Sequence, residues 1–147
     1  MATKIEEIWN EVVNILRNSP VLSAYVKEVV EGEREDLPVF PAIIVNPINE
    51  TEINHTVPEY KRITFQIQIE PWIEVISFEK QIIGENGDKG ILDMVRDIKN
   101  ELEKYPDLNG KCIKFDFPNT TYTSGTYPYR GAVITMSIEF ITQKTNR

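Results

Sequence analysis

The stretch Lys61 to Pro71 constrains the fold more than any other, because apolar and polar side chains alternate along it. Successive side chains of a β-strand point to opposite faces of a sheet, so this period of two predicts a half-buried strand. Proline lacks the N–H that a sheet ladder needs, and the strand is therefore predicted to end at Pro71. Its apolar row should face the core and its polar row should stay exposed; the polar row consists of Thr64, Gln66, Gln68 and Glu70.

Other stretches of similar character predict further strands. Ala42 to Val45 is an apolar run between prolines, which is typical of a short buried strand. Ile48 to Tyr60 alternates weakly and is predicted to form a second, more exposed strand that pairs with the Lys61 strand across a turn. Two later half-buried strands are predicted at residues 113–117 and 132–140.

The segment between the last two strands, Pro118 to Gly131, is polar and interrupted by glycine and proline. It predicts a long hairpin tip that carries Tyr122, Tyr127 and Tyr129. Exposed aromatic rings on a protruding loop are enriched at protein interfaces, whereas the alternative is that these rings pack back onto their own sheet. The sequence leaves both interpretations open.

Three helices are predicted from apolar residues that recur at spacings of three and four. The first begins near Ile5. The second is predicted to start after Ser19, which can cap it, and to run to about Val30, where Gly32 would close it. The third should span about residues 88–105, with Asp88 as its cap, and should lie across the apolar face of the sheet.

These elements predict a single domain over residues 1–147 with an α+β fold. Because helices do not alternate with the strands, the sheet should be mostly antiparallel, with about four to five strands. An N-terminal helical pair and the helix at about 88–105 should accompany it. A chain of 147 residues is long enough to bury a core of its own.

The formal net charge of −7 argues against a protein that grips DNA by neutralising phosphates, although DNA can slide past an acidic surface. The single cysteine excludes an internal disulfide and a cysteine-rich zinc site, and it makes a reducing compartment the simplest expectation. We find neither a signal peptide nor a long apolar run, so no membrane partner is expected.

Candidate reactive residues are few. His55 is the only histidine and its neighbours do not have a metal-ligand spacing, so an exposed strand or loop position is expected. Cys112 has no histidine partner and is expected to be a small, buried or half-buried residue. The segment Gly84 to Gly90 carries acidic residues that would repel a phosphate. We predict no catalytic residue, no metal site, no cofactor and no enzymatic activity.

Five segments have a characteristic order: a helical start interrupted by NSP, the strand FPAIIVNP, the strand RITFQIQI, the helix GDKGILDMVRDIKNEL and the strand RGAVITMSIEFIT. Together they resemble the tail terminator and tail completion proteins of long-tailed bacteriophages, and the likeness covers most of the chain. The resemblance implies a small α+β domain that forms a ring, commonly of six copies, which caps the tail tube and joins it to the head. The resemblance also implies that the protein acts by binding and has no active site.

The resemblance also implies partners and surfaces. The partners would be further copies of the chain, the tail tube protein and head-connector or head-closure proteins, with DNA only as non-specific cargo through the lumen. The protein would be located in the virion tail or neck, and in the host cytoplasm before assembly. Thr64, Gln66, Gln68 and Glu70 would line the lumen or stay exposed. Subunit or partner contacts are expected at Tyr122, Tyr127, Tyr129, Arg130, Ile53 and His55.

Two alternatives remain from the sequence. A head-closure or neck connector protein shares the small size and the α+β character. A small ligand-binding or enzymatic domain is the alternative of a different class, because a fold does not fix a function. A deep apolar pocket with convergent polar groups and a carboxylate of strongly shifted pKa would favour it.

Overall fold

The computed structural model describes residues 3–32, 36, 38–54, 57–74, 81–84, 89–123 and 128–143. Five strands form one sheet in the order β1-β2-β3-β5-β4, and helices lie on one of its faces. The fold is α+β, as predicted. The elements are α1 (Lys4–Asn18), α2 (Pro20–Ser23), β1 (Glu28–Glu31), β2 (Ala42–Asn54), β3 (Tyr60–Glu74), α3 (Ile91–Glu103), β4 (Lys114–Thr123) and β5 (Tyr129–Gln143).

Strand β3 is the centre of the sheet. It pairs antiparallel with β2 on one side and with β5 on the other, and β4 pairs antiparallel with β5. The pairing of β1 with β2 is parallel. The prediction of a mostly antiparallel sheet is therefore confirmed, and so is the predicted pairing of the Lys61 strand with the segment before it.

One face of the sheet forms the core together with the helices. The apolar row of β3 is buried there, and the even-numbered residues of β5 from Ala132 to Phe140 continue it. Helix α3 covers this row with Ile91, Met94 and Ile98, which are fully buried. The predicted packing of this helix across the apolar face is confirmed. The buried row of β3 is Ile63, Phe65, Ile67, Ile69 and Ile73.

The second predicted helix is much shorter than expected. Helix α2 ends at Ser23, and Val29 and Val30 belong to strand β1. These β-branched residues pair with Ile43 and Ile44, and tertiary pairing here prevails over the helical spacing. The glycine that was expected to close the helix instead follows the strand, where Gly32 has φ +74° and donates its N–H to the Val45 carbonyl at 2.8 Å.

Prolines do not end the strands as predicted. Pro71 lies inside β3, at a point where the pairing with β5 is interrupted between Ile69 and Trp72. Pro47 lies inside β2, beside a bulge and beyond the last residue that pairs with β1. Residues 42–54 therefore form one strand and not two. In both places the missing N–H falls where a ladder partner is absent, which is where a sheet tolerates proline.

The predicted long hairpin tip is also wrong in its extent. Strand β4 continues through Pro118 to Thr123, and β5 begins at Tyr129. Thr120 and Thr121 pair with β5, because β-branched residues favour a sheet, and Pro118 is tolerated on an edge strand beside a bulge. Ile113, which was predicted to be half-buried, precedes β4 and is 51% exposed.

Helix α3 begins later than predicted. Gly90 is its N-cap, so the predicted cap at Asp88 is wrong; Asp88 itself lies outside the described residues. The carboxylate of Asp93 supplies the cap from inside the first turn, accepting the N–H of Gly90 at 3.0 Å and that of Gly84 at 2.7 Å. A Cβ on Gly90 would lie 2.3 Å from the Ile82 carbonyl oxygen, so only glycine fits there.

Buried polar groups hold the helices together. Ser19 accepts the N–H of Leu22 as the cap of α2 and donates its hydroxyl to the Glu101 carboxylate on α3. The hydroxyl of Tyr25 donates to Asp97 at 2.8 Å. Burial and the Asp97 carboxylate raise the pKa of Tyr25, so this phenol stays protonated. Within the described ranges, the helices are too short or too polar to cross a lipid bilayer.

Candidate functional site: the open face of the sheet

The face of the sheet opposite the helices is left uncovered by the described elements, and we call it the open face. On β3 it carries the row that alternates with the core row, and each of these side chains from Thr64 to Trp72 is partly exposed. The residues that pair across from this row complete the open face on the neighbouring strands. On β5 they are Tyr129, Gly131, Thr135, Ser137, Glu139 and Ile141.

The middle of the open face is polar and uncharged. Gln66 lies between Asn49 on β2 and Ser137 on β5, and Gln68 lies between Asn46 and Thr135. Directly opposite residues of antiparallel strands have side chains close enough to interact, so these rows form a continuous surface of amide and hydroxyl groups. Such a surface is neither apolar nor able to neutralise phosphates.

One end of the open face carries an ion cluster. Glu139 accepts a hydrogen bond from Arg62, and the Lys114 ammonium lies 3.6 Å from the same carboxylate. The hydrogen bond from Arg62, helped by Lys114, outweighs the effect of burial and holds the pKa of Glu139 below its usual range. The carboxylate is thus ionised and balanced by two cations.

The other end of the open face is apolar and contains a pocket of about 300 Å³. The rings of Phe40 and Tyr129 both line it and contact each other, with centroids 4.9 Å apart. Trp72 forms a wall, and its indole covers Gly131, because a Cβ on that glycine would lie 2.5 Å from the ring. The described residues of the lining are Pro38, Phe40, Ile44, Asn46, Glu70, Trp72 and Tyr129.

Two polar side chains converge in this pocket. The amide of Asn46 donates to the Glu70 carboxylate at 3.2 Å, and among the described residues no cation pairs with Glu70. Among the described residues of the lining there is no histidine, cysteine, serine or threonine, and the carboxylate of Glu70 is accompanied by the Asn46 amide. The pocket is therefore suited to binding.

The predicted interface residues that the structure describes do not form one patch. Tyr122 pairs with Ala132 on the helix side and is 43% exposed, whereas Tyr129 lies on the open face opposite Glu74. Ile53, at the far end of β2, is 57% exposed. Tyr127 and His55 lie outside the described residues.

Arg130 is half-buried. It lies opposite Ile73 and donates to the Gln81 side chain at 3.5 Å, and its Nε is buried without a hydrogen-bond partner among the described residues. By contrast, the polar row from Thr64 to Glu70 is placed where its alternation predicts, on the exposed side of the strand.

Cys112 is half-buried, which lies within the predicted range of buried or half-buried. Burial, with a smaller contribution from Asp107, raises the pKa of its thiol to about 11, so the thiolate needed for nucleophilic attack is scarce at neutral pH. In the part of the chain that the structure describes, acidic, histidine and cysteine side chains do not group into a metal site.

The aromatic pocket was missed by the sequence analysis, although a signal for it was present. The alternation of β3 continues beyond Pro71, so Trp72 follows Glu70 on the same row. Extending the row through the proline would have placed an indole beside a carboxylate. Phe40 and Tyr129 come from distant segments, and only the strand order brings them to this end of the sheet.

Comparison with known protein families gives no match for this sequence, and a search of curated proteins gives no significant match. The open face combines an uncharged polar centre with a balanced ion cluster at one end and an aromatic pocket at the other.

Proposed function

We propose that this chain is a structural protein of a tailed-phage virion, which caps the tail tube as a ring of identical copies and forms the joining surface for the head. The proposal is supported by the sequence resemblance and by one structural observation above all. An acidic protein leaves a whole sheet face uncovered by its described elements, and the middle of that face is uncharged and polar.

A channel for DNA needs a wall of this kind. Apolar side chains would leave the wall poorly hydrated, and unpaired lysine or arginine side chains would bind the phosphates of the passing DNA. Glutamine, threonine and serine do neither. Among the carboxylates of this face, Glu139 is balanced by Arg62 and Lys114, whereas Glu70 and, on the edge strand, Asp116 would repel phosphates. In the proposed ring, the row Thr64, Gln66, Gln68 and Glu70 faces the lumen.

A closed ring also needs two different patches on each copy, one of which meets the other on the neighbour. Exposed apolar side chains at opposite ends of the sheet fit this requirement. Ile53 lies at the end of the sheet near Arg62, and Tyr122 lies at the end near Gly131. We place them in the two halves of the subunit contact.

The partners in this proposal are the tail tube protein below the ring and head-connector or head-closure proteins above it, with DNA as non-specific cargo. The protein acts by binding, without an enzymatic reaction or a cofactor. Its location is the virion, in the tail or neck.

Electron microscopy of the purified protein, alone and mixed with tail tubes of the same phage, tests the proposal. We expect a ring at one end of the tube, and sedimentation across a concentration series measures whether it also forms alone. The absence of a ring with and without tubes would contradict the proposal. A ring that binds the head connector and not the tube would identify a head-closure protein instead.

A further inference from the structure

We propose that the pocket at the Trp72 end of the open face binds an arginine side chain presented by a partner protein. This goes beyond the proposed ring function, since the pocket belongs to a single copy and its chemistry is the same whether or not a ring forms.

The first argument is the orientation of the indole. Three ring atoms of Trp72 lie at nearly equal distances, 2.5, 2.6 and 2.7 Å, from the point where a Cβ on Gly131 would be. The ring therefore lies face-on over the glycine, and its other face is turned away from the sheet. A planar guanidinium stacks on such a face, where the negative ring centre attracts a cation.

The second argument is the charge of the pocket. Glu70 lies on the same row of β3 as Trp72, two residues before it in the chain, so their α-carbons are about 7 Å apart. Among the described residues, its carboxylate accepts a hydrogen bond only from the amide of Asn46, and it keeps lone pairs for a further donor. A guanidinium stacked on the indole reaches this carboxylate and forms charge-assisted hydrogen bonds.

The third argument is the apolar part of the lining. Pro38, Phe40 and Tyr129 line the same pocket as Glu70 and supply apolar surface to it. They cover the aliphatic stem of an arginine, which favours burial of its methylene groups. The compact ammonium group of lysine is more strongly hydrated than a guanidinium and stacks less well on an aromatic ring. Arginine therefore fits the pocket better than lysine.

Binding is tested by nuclear magnetic resonance with the peptide acetyl-Gly-Arg-Gly-amide as the probe. The indole N–H signal of Trp72 should shift saturably. Trp9 serves as an internal control, because its indole N–H donates to Glu31 on the helix side. The same peptide with citrulline in place of arginine keeps the shape and removes the charge.

Glu70→Gln is the decisive variant, since it keeps the size of the side chain and removes the carboxylate. We expect it, and the citrulline peptide, to weaken binding about tenfold, on the scale of a charge-assisted hydrogen bond. Glu103→Gln, at an exposed position of α3, removes the same charge on the helix side and should leave the affinity unchanged.

Equal affinity of the citrulline peptide, equal affinity of the Glu70→Gln variant, or the absence of a saturable Trp72 shift would each overturn the proposal. A Trp72 shift caused only by oligothymidylate, or only by raising the concentration of the protein itself, would place a base or a second copy in the pocket and would overturn it as well.

Discussion

The indole of Trp72 lies face-on over Gly131, its directly opposed partner on β5. A side chain at position 131 would occupy the space of the ring, and an aromatic ring over a strand glycine restores the packing that the glycine lacks. This pair forms the boundary between the polar middle of the open face and its aromatic end.

The pair gives a first prediction. Gly131→Ala should reduce the free energy of unfolding by about 1–3 kcal/mol, because the new methyl group overlaps the indole. In a Trp72→Ala background the same change should cost nothing or stabilise the protein slightly, since alanine is favoured over glycine in a strand. Chemical denaturation of the four proteins measures this coupling; equal costs in both backgrounds would show that the two residues do not interact.

The cap of α3 gives a pH-dependent prediction. Burial raises the pKa of Asp93, but hydrogen bonds from the Gly84 and Gly90 amides outweigh it, so the net shift is below the ordinary value of 3.8. The ionised carboxylate therefore stabilises the fold fully above that pH, and the effect is lost as the pH falls below it. Asp93→Asn should cost about 1 kcal/mol at pH 7 and less at pH 3.

Unfolding titrations at both pH values, with Asp116→Asn on exposed β4 as the control, check this result. A cost for Asp93→Asn that stayed the same at both pH values would rule out the ionised carboxylate as the cap.

Tyr25 gives a prediction at the alkaline end. Tyr25→Phe should cost about 1 kcal/mol near neutral pH, because it removes the hydrogen bond to Asp97. Burial, and then Asp97, raises the pKa of Tyr25 in the folded protein above the ordinary value of 10.0. The stabilisation is therefore full below pH 10.0, declines above it, and is lost as the pH rises through the folded pKa. Thermal unfolding at pH 8 and above pH 10 should show that the stability difference between the wild type and Tyr25→Phe becomes smaller at the higher pH. A constant difference would contradict a stabilising hydrogen bond from the protonated phenol to Asp97. Tyr105→Phe, at an exposed position, is the control.

The two described tyrosines of the predicted tip should behave differently. Tyr129→Ser removes the ring contact with Phe40 and should destabilise the protein by about 1–2 kcal/mol. Tyr122→Ser, at a largely exposed position, should change stability by less than about 0.5 kcal/mol and should weaken assembly. If thermal unfolding gave the reverse order, the placement of the two rings on different faces would be wrong.

The sequence predicted the parts of the fold that local periodicity determines. The alternation of Lys61 to Pro71 gave the central strand with its buried and exposed rows, and the apolar spacing of residues 91–102 gave the helix that covers it. Both signals lie within one element, so a single sequence is enough to detect them.

The parts that failed depend on pairing between distant segments. Val29 and Val30 have helical spacing, and only their partners Ile43 and Ile44 make them a strand. Pro71 and Pro118 lie within strands because the adjoining ladder is interrupted or absent there, which the sequence does not reveal. The aromatic pocket was missed for the same reason, since Phe40, Trp72 and Tyr129 belong to three separate segments.

The central claim is that the open face lines the lumen of a ring, and gold labelling tests it most directly. Gln68→Cys on the open face and Glu103→Cys on the helix side, each combined with Cys112→Ser, provide one thiol for a maleimide gold cluster. In electron micrographs of rings on tail tubes, we predict gold near the ring axis for Gln68→Cys and at the perimeter for Glu103→Cys. Gold at the perimeter for Gln68→Cys, or the absence of rings from the unlabelled protein, would contradict the account.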